Sequence, residues 1–212
     1  MVYWDLVKRV RALPFFSEDI VAPQKKVKDQ VLRNQLRSWV RQGRVIRLRK
    51  GLYTLPNDLR IIVLSPLIIS NSLYSPSYVS LEYALSSWGL IPERVHEVTA
   101  VTVRKTKSFV NTYGRFSYRH IKRSGFCGYE KIHEEAGFFV FIASPEKALI
   151  DKIYFDANVS YEDDYFLENL RLQNFEELKV KKLQDFSRRL NSKKVSQMTQ
   201  ILIRLIQKEN EK

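Results

Sequence analysis

The chain has 212 residues, a net charge of +13, and enough apolar and aromatic content (44% hydrophobic, 23 Phe and Tyr) to build a core, which excludes a disordered protein and supports one or two domains. Its lone cysteine, Cys127, excludes an internal disulfide, and its histidines, His96, His120 and His133, are scattered without metal-ligand spacing, so neither metal nor cofactor is expected. The most apolar run, Ile61 to Ile69, is broken by Ser65 and Pro66 and falls far short of the ~20 residues that span a bilayer.

The charge is not spread evenly. Residues 1–56 carry a net +9, residues 57–178 a net −3, and residues 179–212 a net +7. Basic ends around a slightly acidic middle point to a polyanion or an acidic partner rather than a uniformly solvated surface. The N-terminal segment MVYWDLVKRVRAL carries charges where the apolar core of a signal peptide would lie, so a cytoplasmic protein is expected, with no membrane partner.

Tyr3 to Leu13 reads as an amphipathic helix through Leu6, Val10 and Leu13, ended by Leu13-Pro14. Ser17-Glu18-Asp19 reads as the start of a very short second helix that Pro23 stops. A third helix is predicted from about Lys28 to Gln42. Val31, Leu32, Leu36, Trp39 and Val40 form its buried face, Arg33, Arg37 and Arg41 the opposite one, and Gly43 follows its end. Arg44 to Arg49 alternates as a strand, Lys50-Gly51 turns, and Leu52 to Leu55 returns. Three helices followed by a basic hairpin is the order of a winged helix-turn-helix, here residues 1–56.

Past Asn57, within 57–212, a mixed α/β domain ending in helices is predicted. Leu59 to Asn71 is partly helical, and Ser77 to Trp88 reads as a helix stopped by Gly89. Val98 to Val103 is a strand by its β-branched content, and Phe109 to Tyr113 with Arg115 to Ile121 forms a hairpin around Gly114. Phe138 to Ala143 is a further strand, and Ser144-Pro145-Glu146 starts a helix reaching about Phe155. Tyr165 to Leu172, Phe175 to Leu190 and Val195 to Gln207 read as terminal helices. The expected fold is α+β.

The third helix and the hairpin carry the candidate site. Duplex DNA requires cations for its phosphates and polar side chains that reach base edges, Arg for guanine and Asn or Gln for adenine. Gln30, Arg33, Asn34, Arg37, Ser38 and Arg41 supply both on one helix face. Arg44, Arg47, Arg49 and Lys50 lie on or beside the hairpin, where they can meet the backbone or the minor groove, and Lys25, Lys26 and Lys28 precede the helix as candidate phosphate contacts. An arginine stripe is also what a solvated helix face looks like; the adjoining short helix and basic hairpin favour DNA.

The segment LRNQLRSWVRQGRVIRLRKGLYTLP resembles the winged-helix module of the AbiEi-type antitoxins of type IV toxin–antitoxin systems. The resemblance continues through SPSYVSLEYALSSWGLIPERVHEVTAVTV, YGRFSYRHIK and FVFIASPEKALIDKIYF, in that order, and covers roughly residues 1–160. It implies a repressor that binds repeats in its own promoter with the N-terminal domain. It implies also a C-terminal domain that supports repression and counters a nucleotidyltransferase-like toxin without requiring a stable complex. Lys25-Lys26-Val27-Lys28 departs from the pattern by being more basic.

Catalytic constellations are weak. Glu134-Glu135 and Asp163-Asp164 are adjacent acids whose side chains diverge. Glu146-Lys147 and Asp151-Lys152 lack the strand and the spacing of a magnesium nuclease, and Ser144 fits a helix cap better than a nucleophile. No enzyme is expected. Tyr74, Tyr78, Tyr83, Trp88, Phe109, Tyr113, Phe116 and Tyr118 alternate with polar residues as core side chains do, not as a base-stacking platform. Lys179, Lys181, Lys182, Arg188, Arg189, Lys193 and Lys194 leave three readings open: a solvated face, further DNA backbone contact, or docking to an acidic partner. Two alternatives to the antitoxin stay open: a plain winged-helix regulator whose second domain senses a ligand or dimerises, and a DNA-processing nuclease.

Overall fold

The computed structural model describes residues 2–21, 29–134, 137–156 and 169–211, and the fold is α+β. Lys25, Lys26 and Lys28, Pro23, Glu135, Asp163-Asp164 and the start of the helix expected at Tyr165 lie outside the described residues.

Helices α1 (Tyr3–Val10), α2 (Glu18–Val21) and α3 (Asp29–Arg41) come first. The antiparallel strands β1 (Ile46–Arg49) and β2 (Leu52–Thr54) follow, joined at Lys50-Gly51, where Gly51 adopts φ +77°. Leu6, Val10, Phe16, Leu32, Leu36, Trp39, Val45, Tyr53 and Leu55 close a core of their own. Val31 is not part of it, being 57% exposed. It stands about 100° around the helix from Leu32, away from Leu36 and Trp39. A two-way backbone bridge between Phe16 and Tyr53, both N–H to carbonyl distances 2.9 Å, ties the segment before α2 to the hairpin.

The second core surrounds a six-stranded sheet. After α4 (Pro66–Leu73) come β3 (Ser77–Val79), α5 (Leu81–Ser87), β4 (Val98–Thr102), β5 (Lys107–Asn111), β6 (Gly114–His120), β7 (Tyr129–His133), β8 (Phe139–Ala143) and α6 (Pro145–Phe155). The strand order is β5-β6-β4-β3-β8-β7, with β4–β6 and β3–β8 parallel and the other pairs antiparallel. Helices α7 (Val180–Leu190) and α8 (Lys193–Asn210) complete the described chain. On paired strands the side chains of opposed residues share a face. Tyr118 pairs with Ala100 and its hydroxyl donates to the Ser70 carbonyl on α4 at 2.7 Å. Tyr78 pairs with Val101, one position on, and its hydroxyl donates to Asp151 on α6 at 2.9 Å. The sheet is therefore covered by α4 on one face and by the α6 layer on the other.

The sheet domain departs from the sequence reading in three places. The helix expected over Ser77 to Trp88 is a strand followed by a shorter helix. Tyr78 and Val79 are fully buried between β4 and β8, where pairing outweighs helical periodicity. Strand β7 was not anticipated, because Tyr129, Glu130, Lys131 and His133 are all exposed on a sheet edge and show no apolar signal. The helix expected over Phe175 to Leu190 breaks into a 3-10 turn at Phe175–Glu177 and then α7. The cap at the start of α6 is as expected: Ser144 Oγ accepts from the Lys147 amide, with Pro145 in the first turn. Val195, Met198, Leu202 and Ile206 are buried as the core stripe of α8. Among the described residues no helix is long and apolar enough to cross a membrane.

Candidate nucleic-acid interface

Helix α3 repeats every 3.6 residues, so Arg33, Arg37 and Arg41 stack along one side, with Asn34 between them and Leu32, Leu36 and Trp39 anchoring the other. Gly43, at φ +69°, ends the helix and turns the chain directly into β1. The Phe16–Tyr53 bridge and the bond from Thr54 Oγ1 to the Pro14 carbonyl, 2.8 Å, then hold the hairpin against the N-terminal helices. Between helix and hairpin lies an open cleft of about 800 Å³. Arg33, Asn34, Arg37 and Arg41 line it from α3, Arg47 and Lys50 from the hairpin.

One carboxylate enters this cleft. Glu18, at the start of α2, receives a bond from Arg33 Nε at 2.9 Å. The Tyr53 hydroxyl also lines the cleft, and its pKa is raised by burial first and by Glu18 second. Arg37, Arg41, Arg47 and Lys50 form no salt bridge among the described residues. A concave surface with five cations and a single acid has a strongly positive potential and suits a polyanion.

The remaining site candidates sit elsewhere. Gln30 donates to Asn34 Oδ1 at 3.0 Å and so presents its amide at the outer end of the helix face. Ser38 is half-buried and accepts from Gln42 at 3.2 Å, turned aside from the arginine row. Arg44 lies on the other side of α3. Its guanidinium is 5.4 Å from the Tyr3 ring centre, and the Tyr3 hydroxyl donates to its carbonyl at 2.8 Å. Arg49 is half-buried, its Nη1 donating to the Lys50 carbonyl at 3.0 Å. Sequence reasoning missed Glu18 as a member of the site. The contact spans fifteen positions, and only an acid at the start of a neighbouring helix could have hinted at it.

The two acids weighed for a nuclease are engaged inside the protein. Asp151 is fully buried, ion-paired with Lys147, and accepts from Tyr78 at 2.9 Å and Ser80 at 2.8 Å. Burial pushes its pKa up, and the Lys147 charge pulls it back down. Glu146, 3% exposed, accepts from Ser144 Oγ at 2.8 Å and from the Lys179 amide at 3.3 Å. Among the described residues no group of three or more His, Cys, Asp or Glu could hold a metal ion.

The chain matches no protein-family model and no curated protein.

Of the C-terminal cations, several are already engaged. Lys194 Nζ donates to the carbonyls of Tyr154 and Asp156 at 3.0 and 2.6 Å, joining α8 to the end of α6. Lys182 lies 3.7 Å from Glu130 and 3.6 Å from Glu146, and Arg189 pairs with Asp185 at 2.8 Å. Half-exposed pairs of this kind describe a solvated face more than a reserved anion site.

Proposed function

We propose that this chain is a cytoplasmic DNA-binding autorepressor, with residues 1–56 acting as a winged helix-turn-helix, and the antitoxin of a type IV toxin–antitoxin operon. The observation that carries the DNA reading is the cleft between α3 and the hairpin, where five cations from two elements converge around Asn34. In a winged helix the third helix enters the major groove and the wing lies beside it, so the cleft is where one DNA strand would run. Arg37 and Arg41 reach toward base edges and Asn34 supplies the adenine-type amide, while Arg47 and Lys50 approach phosphates. The antitoxin part rests on the segments that resemble the AbiEi group. A nucleotidyltransferase-like toxin is the functional partner on this reading.

The test is a gel-shift titration of the full chain on the duplex upstream of its own gene, with scrambled duplex as control, at two salt concentrations. The expected result is a preference of roughly a thousandfold for the upstream duplex and a steep salt slope. Equal binding to both duplexes would reduce the protein to a non-specific polycation. Co-expression with an adjacent nucleotidyltransferase gene tests the antitoxin part: failure to rescue growth would leave a plain regulator.

A further inference from the structure

A second pocket, of about 290 Å³, opens on the sheet domain between the end of α4 and strands β3, β7 and β8. It exists because β3 is short. β3 runs parallel to β8 with Val79 opposite Ile142, so the position opposite Phe139 falls on Pro76, which has no N–H to offer and precedes the strand. Asn71, in the last turn of α4, fills part of the gap: its side chain accepts from the Phe141 amide at 2.7 Å and donates to the Phe141 carbonyl at 3.3 Å. Backbone groups alternate in direction along a strand, so Phe139 turns its N–H and C=O to that same side. The walls are aromatic. Tyr129 and Phe141 meet edge to face with ring centres 5.6 Å apart, Phe126 lies 5.3 Å from Tyr129, and the buried Tyr78 stacks on Tyr129 at 4.9 Å. Tyr129 and Phe141 nonetheless stay 37% and 38% exposed. Ser77 lines the pocket too. It is 6% exposed, and its Oγ has no hydrogen-bond partner among the described residues.

No carboxylate lines this pocket, and two exposed cations flank it. The Lys131 ammonium sits 3.3 Å from the centre of the Phe139 ring, and Arg104 Nη1 donates to the Ser75 carbonyl at 3.0 Å. Phe139 and Ser75 both belong to the pocket wall. Neither cation forms a salt bridge among the described residues. The volume lies at the small end of ligand sites, which run from about 300 to 1,000 Å³, and admits one flat ring system. A corner made of two aromatic rings rewards a flat π system. A hydroxyl that can donate or accept, beside a backbone N–H and C=O, matches the mixed edge of a heterocycle. Unpaired cations at the rim match a phosphate. We propose that this pocket binds a free nucleoside monophosphate. The base packs in the corner of Tyr129 and Phe141 with its edge on Ser77 and the Phe139 backbone, and the phosphate lies at Lys131 and Arg104. The site is on the sheet domain, apart from the α3 cleft, and does not depend on the DNA reading of that cleft.

The test is isothermal titration calorimetry of the full chain with AMP, GMP, CMP and UMP, using ribose 5-phosphate and the matching nucleosides as controls. At least one nucleotide is expected to bind about tenfold or more tighter than ribose 5-phosphate, which is what stacking of one base contributes, and several-fold tighter than its own nucleoside. Phe141→Ala is expected to remove the first preference and R104Q/K131Q the second. Ser77→Ala is expected to weaken nucleotide binding several-fold while the thermal melt of the unliganded protein stays level or rises, because a buried hydroxyl without a partner costs stability that a methyl group does not. If Phe141→Ala loses its folded circular-dichroism signal, Ser77→Ala and R104Q/K131Q are read in its place. Binding of all four nucleotides no tighter than ribose 5-phosphate overturns the proposal. So does binding that every folded pocket variant leaves intact. Arg37→Ala separates this site from the cleft: it should bind the nucleotide like wild type, and loss of binding in Arg37→Ala with retention in the pocket variants would place the nucleotide in the α3 cleft and sink the pocket.

Discussion

Lys147 and Asp151 face each other at 0% side-chain exposure inside the sheet domain, with Tyr78 and Ser80 donating to the same carboxylate. Arg37, Arg41, Arg47 and Lys50 stand in an open cleft whose one acid, Glu18, is paired with Arg33. The two regions use the same charged groups in opposite ways. A buried ion is tolerated only when a complete set of partners replaces its water, and a completed set has nothing left for a ligand. An exposed cation keeps its water and gives it up only to an anion that arrives, so its value lies in binding rather than in stability.

The comparison can be broken most severely from inside. Asp151→Ala should leave the Lys147 ammonium and two hydroxyls buried without their acceptor and destabilise the fold by about 3–5 kcal/mol in urea melts; a loss below about 1 kcal/mol would mean that water enters the site. Next, Leu48→Ala should cost about 2–5 kcal/mol, because this hairpin residue fills the core of the sheet domain rather than the N-terminal one. A neutral Leu48→Ala melt would show that hairpin and sheet are only loosely joined. Arg37→Ala sharpens the contrast from the open side: operator binding should weaken by about 1–3 kcal/mol in gel shifts while the melt stays within about 0.5 kcal/mol of wild type. Unchanged binding across several salt concentrations would remove α3 from the interface. The smallest effect is expected for Glu18→Gln, which takes the acid out of the cleft. DNA affinity should rise by about 1 kcal/mol or less, with a steeper salt slope, and a fall in affinity would show that Glu18 is needed to orient Arg33.

Where a residue's role follows from its nearest neighbours in the chain, it was legible in the sequence. The arginine row of α3 needs only the helical repeat, and Ser144-Pro145 needs only the chemistry of a helix start. Legibility failed where the deciding partner is remote. Ser77-Tyr78-Val79 continues smoothly into a helical pattern, yet β4 and β8 claim it as a strand. Arg49 alternates with Arg47 in sequence, but the ladder shifts between them, and it is Arg47 that lines the cleft while Arg49 donates to the Lys50 carbonyl. In the sequence Glu146-Lys147 and Asp151-Lys152 read only as fragments that lack the strand and the spacing of a magnesium nuclease. Glu146, Lys147 and Asp151 are buried because Tyr78 and Ser80, more than seventy positions upstream, and the Lys179 amide, 33 downstream, close over them.

By itself the sequence determined the helical periodicity, the Lys-Gly turn, the helix cap and the concentration of cations at the two ends, all of which depend on residues a few positions apart. The tertiary structure decided which cations stand in a shared cleft, which carboxylates are closed inside the core, and that Leu48 of the hairpin packs into the core of the sheet domain. Those outcomes are set by contacts between distant segments, where desolvation and pairing are worth more than any local preference.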